Sequence, residues 1–135
     1  MTGDVSEAAS RTVLLVEDEA LIRFLLAEEM VSRGVAVVEA ATGEEAQREL
    51  KNGRRIDLVV TDMRMPGPVD GLALCRWMSE HSAGVPVLVT SGLDAGGAGA
   101  FGNPAVFRVV TKPYRPAEVA AEVAAFLSGA AISSV

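Results

Sequence analysis

The chain has 135 residues, of which half are apolar and only 4% are aromatic, and its formal net charge is −6. This length fits one domain with a single core, filled mainly by valine, leucine, alanine and methionine. The acidic balance argues against nucleic-acid binding by the domain itself, because no basic stripe is available to contact phosphates. Cys75 is the only cysteine, which excludes an intrachain disulfide, and no apolar stretch could span a bilayer. We therefore expect a soluble, cytoplasmic protein without a signal peptide.

Five apolar runs rich in β-branched residues predict buried parallel strands, at 13–16, 35–40, 56–61, 87–90 and 106–111. Apolar residues at helical spacing predict four connecting helices: one that ends near Gly34, one that begins at the capping box Thr42–Glu45, one at about 71–82 and one opened by Pro116. Asp70 is best explained as the N-cap of the third helix. The predicted domain covers 11–128, with a disordered lead-in at 1–10 and a tail at 129–135.

The segment GLDAGGAGAFGNP (92–104) lies where a further helix should connect the last two strands. It contains five glycines and a proline. Each glycine costs a helix interior about 1 kcal/mol relative to alanine. We therefore expect a short, distorted helix or an ordered loop in this segment.

Four of the strands stop at residues that can bind a metal ion or a phosphate. The first runs into Glu17 and Asp18, the third into Asp62, the fourth ends at Ser91, and the fifth reaches Lys112. The carboxyl ends of parallel strands share one edge of the sheet, so these residues should converge there. Three carboxylates in one crevice repel, so that a cation must bind there or one acid must hold a proton. An all-oxygen set favours Mg²⁺ and predicts phosphate chemistry assisted by a divalent ion.

The residue types leave the role of the central acid open. Asp62 could be a metal ligand, a base, or a nucleophile that takes a phosphoryl group and forms an acyl phosphate. Lys112 supplies a compact positive charge for a phosphoryl oxygen, and Ser91 supplies a hydroxyl donor. Thr90 competes with Ser91 for this role, although strand alternation favours Ser91. The bond between Lys112 and Pro113 could be cis, which the sequence alone does not decide.

The motifs, taken together, resemble the receiver domain of bacterial two-component response regulators. An acidic pair follows the first strand, D-x-x-M-P precedes D-G, a hydroxyl follows the fourth strand, and K-P follows the fifth. The resemblance covers 11–128. It implies a flavodoxin-like, doubly wound α/β fold with a five-stranded parallel sheet in the order 2-1-3-4-5, in which the glycine-rich segment replaces the usual fourth helix.

The resemblance also implies a function and a site. A histidine kinase or a phosphotransfer protein would phosphorylate Asp62, with Ser91 and Lys112 contacting the phosphoryl group. Mg²⁺ would be the cofactor, held by Glu17, Asp18, Asp62 and the backbone carbonyl of Arg64. The domain would be a phosphoacceptor rather than an enzyme, and would signal through protein–protein contacts as a monomer or weak homodimer. It would have no nucleic-acid or membrane partner, and its downstream partner is left open.

The chain departs from the family pattern in three places, which leaves alternatives open. The loop GPVDG (67–71) is one residue longer than the commonest form, and the glycine-rich segment replaces a helix used for signalling. Val109 stands where an aromatic switch residue is usual, and Phe107, expected on the same strand face, is a possible substitute. A phosphate shuttle or sink, or a non-switching scaffold, is the alternative. An aspartyl-nucleophile phosphohydrolase is disfavoured, because Arg64 lies where such enzymes need a second acid.

Overall fold

The structure is a computed structural model that describes residues 11–92 and 98–129. Its elements in chain order are β1 (Thr12–Val16), α1 (Ala20–Ser32), β2 (Ala36–Ala40), α2 (Gly43–Lys51), β3 (Leu58–Asp62), α3 (Gly71–His81), β4 (Val87–Ser91), β5 (Val106–Thr111) and α4 (Pro116–Ser128). The strands form one parallel sheet in the order β2-β1-β3-β4-β5. The predicted fold class and strand order are confirmed. The predicted lead-in at 1–10 and most of the predicted tail lie outside the described residues.

Helices cover both faces of the sheet, and strand alternation divides the core between them. In β1, Leu14 and Val16 pack with α2 and α3, whereas Val13 and Leu15 pack with α1 and α4. All four side chains are buried. Burying a Val or Leu side chain contributes roughly 1.5–3 kcal/mol, so continuous apolar runs stabilise the central strands from both sides. The same burial fixes the sheet edge at which the polar strand ends meet.

Side-chain caps fix the starts of two helices next to this edge. The Thr42 hydroxyl accepts a hydrogen bond from the Glu45 amide at 3.1 Å, and Glu45 reaches back to the amide of Ala41 at 2.7 Å. The Asp70 carboxylate accepts from the Ala73 amide at 2.9 Å. Both predicted caps are confirmed, although Glu45 binds one residue further back than in a standard capping box. The Asp70 cap ends the loop that follows β3.

The connection between β4 and β5 is partly described. It contains a 3₁₀ helix at Ala98–Phe101, and residues 93–97 lie outside the described part of the chain. Phe101 is buried in the core on the α2 and α3 side and anchors this segment. Where the segment is described it forms no α-helix, as its glycine content predicts. None of the helices within 11–92 and 98–129 is long and apolar enough to cross a membrane.

The expectation that Phe107 shares a strand face with Val109 is wrong. Val87 pairs with Val106 and Leu88 pairs with Arg108, so Phe107 is an extra residue in the ladder. This irregularity turns Phe107 to the α1 and α4 side, where its ring stacks on Phe126 with centroids 3.9 Å apart. Val109 packs on the opposite face, against the α2 and α3 side. Phe107 therefore cannot substitute for an aromatic residue at position 109.

Candidate functional site

Three carboxylates meet at the carboxyl edge of the sheet. Glu17 and Asp18 follow β1, and Asp62 ends the adjacent strand β3, with Val16 directly opposite Thr61. One carboxylate oxygen from each acid lies within 4.8 Å of the others. Within the described residues this is the one group of acids placed to share a metal ion. The predicted convergence of these strand ends is therefore present in the structure.

Glu17 is a buried acid whose backbone and carboxylate are both fixed by hydrogen bonds. Glu17 is only 2% exposed. Its amide donates to the Ala40 carbonyl at 3.0 Å, and its carboxylate accepts from the Glu19 amide at 3.0 Å. Burial raises the pKa of Glu17 above 4.5; the negative charge of Asp62 acts in the same direction, while the Glu19 amide opposes it. A cation bound between the acids would remove this cost.

Lys112 supplies the positive charge of the site. Its ammonium nitrogen lies 2.9 Å from Asp62 Oδ2, and its amide donates to the Ser91 carbonyl at 2.7 Å. Burial alone would lower the pKa of Lys112, but the hydrogen bond and charge of Asp62 outweigh it and raise that pKa. The peptide bond to Pro113 is cis. The lysine is therefore charged, and it is directed at the carboxylate predicted to accept phosphate.

The two candidate hydroxyls lie on opposite faces of β4. Thr90 is the register partner of Asp62, and its carbonyl accepts from the Met63 amide at 2.8 Å. Ser91 follows it, is fully buried, and its hydroxyl lies 3.7 Å from the Met63 thioether sulfur. The structure thus brings Ser91 to the same strand end as Lys112, with its hydroxyl against Met63. Its role toward a phosphoryl group stays a prediction.

The loop after Asp62 is packed tightly against the strand end. Gly71 opens α3, and its amide donates to the Met63 carbonyl at 2.9 Å. A β-carbon at Gly71 would overlap the backbone carbonyl of Asp62 and lie 2.8 Å from the Met63 α-carbon. The Arg64 amide makes a long contact of 3.5 Å with Asp62 Oδ1, and the Arg64 carbonyl as a metal ligand stays a prediction.

Residues near the site that the sequence did not single out include Arg23 and Tyr114. Arg23 of α1 donates to the Glu17 carbonyl at 2.8 Å, and its signal in the sequence is a lone cation within the apolar run ALIRFLL. Burial, together with the negative charges of Glu17 and Asp62, raises the pKa of Tyr114 to about 12. Tyr114 is therefore neutral at physiological pH, and the field of the acids extends into the core on the α1 and α4 side.

The geometry can be compared with known proteins. Residues 13–124 match the family model for the response regulator receiver domain. The chain is 33% identical over 123 residues to the transcriptional regulatory protein ResD of Bacillus subtilis, a match that covers 90% of this chain and 50% of ResD. It is 38% identical over 86 residues to the sensor kinase CckA of Brucella abortus, across 63% of this chain and 9% of CckA. The chain thus spans about half the length of ResD and a small part of CckA.

A solved structure also relates this chain to receiver domains. A response regulator receiver protein from Sinorhizobium medicae is 30% identical, with a TM-score of 0.73 over 84% of this chain and 93% of that one. The family model spans most of the chain, including the acidic pair, Asp62 and Lys112. The strand order and the meeting of these residues at one sheet edge agree with it. The chain belongs to the response regulator receiver domain family.

Proposed function

We propose that this receiver domain accepts a phosphoryl group on Asp62 from a phosphohistidine of a histidine kinase or phosphotransfer protein. The observation that carries the proposal is the contact of 2.9 Å between Lys112 and Asp62, next to the other two acids. Asp62 is 7% exposed and ends the central strand β3, so a donor has to reach it at the carboxyl ends of the strands. A carboxylate with a fixed counter-charge is suited to take up a phosphoryl group.

Mg²⁺ is the cofactor that the donor set fits. The three acids offer only oxygen atoms, which hard divalent cations prefer. Burial, and then the neighbouring charge of Asp62, raises the pKa of Glu17, and a bound cation would offset both effects. Glu17, Asp18 and Asp62 would hold the ion, with the carbonyl of Arg64 as the proposed fourth protein ligand. When bound, Mg²⁺ would neutralise charge on the phosphoryl oxygens.

The transfer itself makes modest demands on the protein. An Asp62 carboxylate oxygen attacks phosphorus, the P–N bond to the donor imidazole breaks, and the imidazole nitrogen keeps the electron pair. Phosphoryl transfer passes through a loose transition state, so catalysis consists mainly of positioning and counter-charge. Lys112 would turn from the carboxylate toward a phosphoryl oxygen, and Ser91 would donate its hydroxyl to another. Water later hydrolyses the acyl phosphate and regenerates the carboxylate.

The exposed face of α1 is the surface that we assign to the phosphodonor. Four large apolar side chains within the described residues are exposed, and all lie on this helix: Leu21, Phe24, Leu25 and Val31. The helix begins at Ala20, two residues after Asp18, so its first turn follows the acidic cluster directly along the chain. Contiguous exposed apolar side chains are typical of protein contact sites. Phe24→Asp should therefore slow transfer from a histidine kinase but leave phosphorylation by acetyl phosphate unchanged.

The role downstream of Asp62 is a separate proposal. Val109 and the 3₁₀ helix at Ala98–Phe101 replace the parts that many receivers use to transmit the signal, which supports a phosphate shuttle or sink beside signalling by protein contact. We assign the domain to the cytoplasm and to phosphoacceptance rather than to an enzyme of its own. Arg64 supports the latter, because it occupies the position where an aspartyl phosphohydrolase needs an acid.

Incubation with Mg²⁺ and acetyl phosphate tests the proposal. Intact-mass spectrometry should find one phosphoryl adduct that hydroxylamine removes and that Asp62→Asn lacks. Asp57→Asn is a matched control, since this acid precedes β3 at the opposite end of the strand from Asp62, where it pairs with Arg55 at 2.9 Å and accepts from the Thr12 amide at 2.8 Å. Asparagine can keep the amide contact, so the substitution should leave the adduct unchanged. An adduct that persists in Asp62→Asn would sink the proposal, and many turnovers of phosphate release would favour a hydrolase. An adduct with unchanged oligomeric state and no change in hydrogen exchange over 92–104 would favour a non-switching scaffold.

A further inference from the structure

We infer that Arg23 is a positioning residue of the cation site, where its guanidinium clamps the backbone of Glu17 to β2. The inference rests on the proposed function of the acidic cluster as a Mg²⁺ site. Arg23 lies on the first turns of α1, six residues after Glu17. One guanidinium nitrogen donates to the Glu17 carbonyl at 2.8 Å, and another contacts the Glu39 carboxylate at 3.0 Å. A single side chain therefore links α1, the end of β1 and β2.

Through this clamp, the last free backbone group of Glu17 also gains a hydrogen-bond partner. The amide of Glu17 donates to Ala40 and its carboxylate accepts from the Glu19 amide, so its carbonyl is the remaining polar group. Arg23 takes that carbonyl, which belongs to the peptide unit joining Glu17 to Asp18. Holding this peptide unit orients both of its flanking acids toward Asp62. Partners that orient ligands from behind typically change metal affinity by roughly 10–100-fold when they are removed.

Charge alone predicts the opposite effect, which makes the inference easy to test. A positive guanidinium beside a cation site disfavours Mg²⁺, so its removal should tighten binding if electrostatics dominate. Glu39 pairs with Arg23 and neutralises it, so the clamp adds little net positive charge to the site. Positioning therefore predicts weaker Mg²⁺ binding in Arg23→Ala, and repulsion predicts stronger binding.

Titration calorimetry with Mg²⁺ on the full chain is the test. We expect Arg23→Ala to bind Mg²⁺ about tenfold more weakly than the unmodified protein, at the lower end of effects of this kind. Arg33→Ala is the matched control, because Arg33 lies at the other end of α1 and pairs with Glu29 at 2.8 Å. It removes the same charge without touching the site, so its Mg²⁺ affinity should be unchanged. The unfolding temperature in EDTA should fall more in Arg23→Ala than in Arg33→Ala, because only Arg23 links α1 to β1 and β2, and both variants should remain folded at the temperature of the titration.

Arg23→Lys separates geometry from charge. Lysine keeps the charge but lacks the forked guanidinium that binds two acceptors at once, so its affinity should lie between those of the unmodified protein and Arg23→Ala. The inference is overturned if Arg23→Ala binds Mg²⁺ equally or more tightly, or if Arg33→Ala weakens binding as much. If Arg23→Ala does not fold, equal affinity of Arg23→Lys and the unmodified protein overturns it. If the unmodified protein binds no Mg²⁺, the proposed function fails together with the inference.

Discussion

Replacing the most buried acid of the site should stabilise the ligand-free protein. Glu17 is 2% exposed, and its carboxylate lies within 4.8 Å of that of Asp62. Two negative charges at that separation repel by about 3 kcal/mol at an effective dielectric constant of about 20. The Lys112 ammonium offsets part of this repulsion, so we expect Glu17→Gln to raise the free energy of unfolding by about 1–2 kcal/mol near pH 7. The glutamine oxygen can still accept from the Glu19 amide.

The pH dependence of this gain has a fixed sign. Because burial and the Asp62 charge raise the pKa of Glu17 above 4.5, the folded state binds the proton more tightly than the unfolded state. The stability that protonated Glu17 contributes to the folded state is therefore fully present below pH 4.5, and it is lost as the pH rises through the folded-state pKa. The gain in the free energy of unfolding of Glu17→Gln should be small below pH 4.5 and reach its full size above the folded-state pKa of Glu17.

Thermal unfolding in EDTA between pH 4 and pH 8 measures this prediction. For a domain of this size the gain corresponds to roughly 3–8 °C in Tm. Glu28→Gln is the control, because that acid is exposed on α1, and it should show no such gain. Added Mg²⁺ should stabilise the unmodified protein more than Glu17→Gln, because the variant lacks one of the three carboxylates proposed to hold the ion. A Glu17→Gln protein that is less stable at pH 8, or a gain that does not vary with pH, would refute the electrostatic reasoning.

Three further predictions concern the surroundings of Asp62 and the core. Gly71→Ala should lower the free energy of unfolding by at least about 3 kcal/mol in urea, because its β-carbon overlaps backbone, whereas Gly99→Ala meets nothing within 4 Å and should cost less than about 1 kcal/mol. Asp70→Ala should cost about 1 kcal/mol in the same assay through loss of its cap, and an unchanged midpoint would contradict that role. Cys75 is buried, which together with the charge of Asp70 raises the pKa of its thiol to about 12. A disulfide reagent at pH 8 should therefore label it only on unfolding, and rapid labelling of the native protein would disprove this packing.

Features encoded by neighbouring residues could be predicted from the sequence. Continuous apolar runs define β1, β3 and β4, and the polar residue that ends each run marks the sheet edge where the site forms. The caps at Thr42 and Asp70 are equally local, because each side chain binds an amide three residues ahead. Parallel pairing then brings Asp62 and Lys112 together without any further information.

Features that depend on distant pairing could not be predicted in this way. Strand alternation places Phe107 and Val109 on one face, but the register with β4 inserts an extra residue and separates them. Arg23 looks like a solvated helix residue, and its contact with the Glu17 carbonyl depends on how α1 packs beside β1. The position of Tyr114 near the acids likewise depends on the path of the chain after β5.

Mapping the phosphorylated residue tests the central claim most directly. The protein is treated with Mg²⁺ and acetyl phosphate, the acyl phosphate is reduced with borohydride, and the peptides are sequenced by mass spectrometry. Reduction of an aspartyl phosphate leaves homoserine, so the proposal predicts homoserine at position 62 and aspartate at Asp18. Homoserine at another position, or an unmodified Asp62 in protein that carries the adduct, would contradict it.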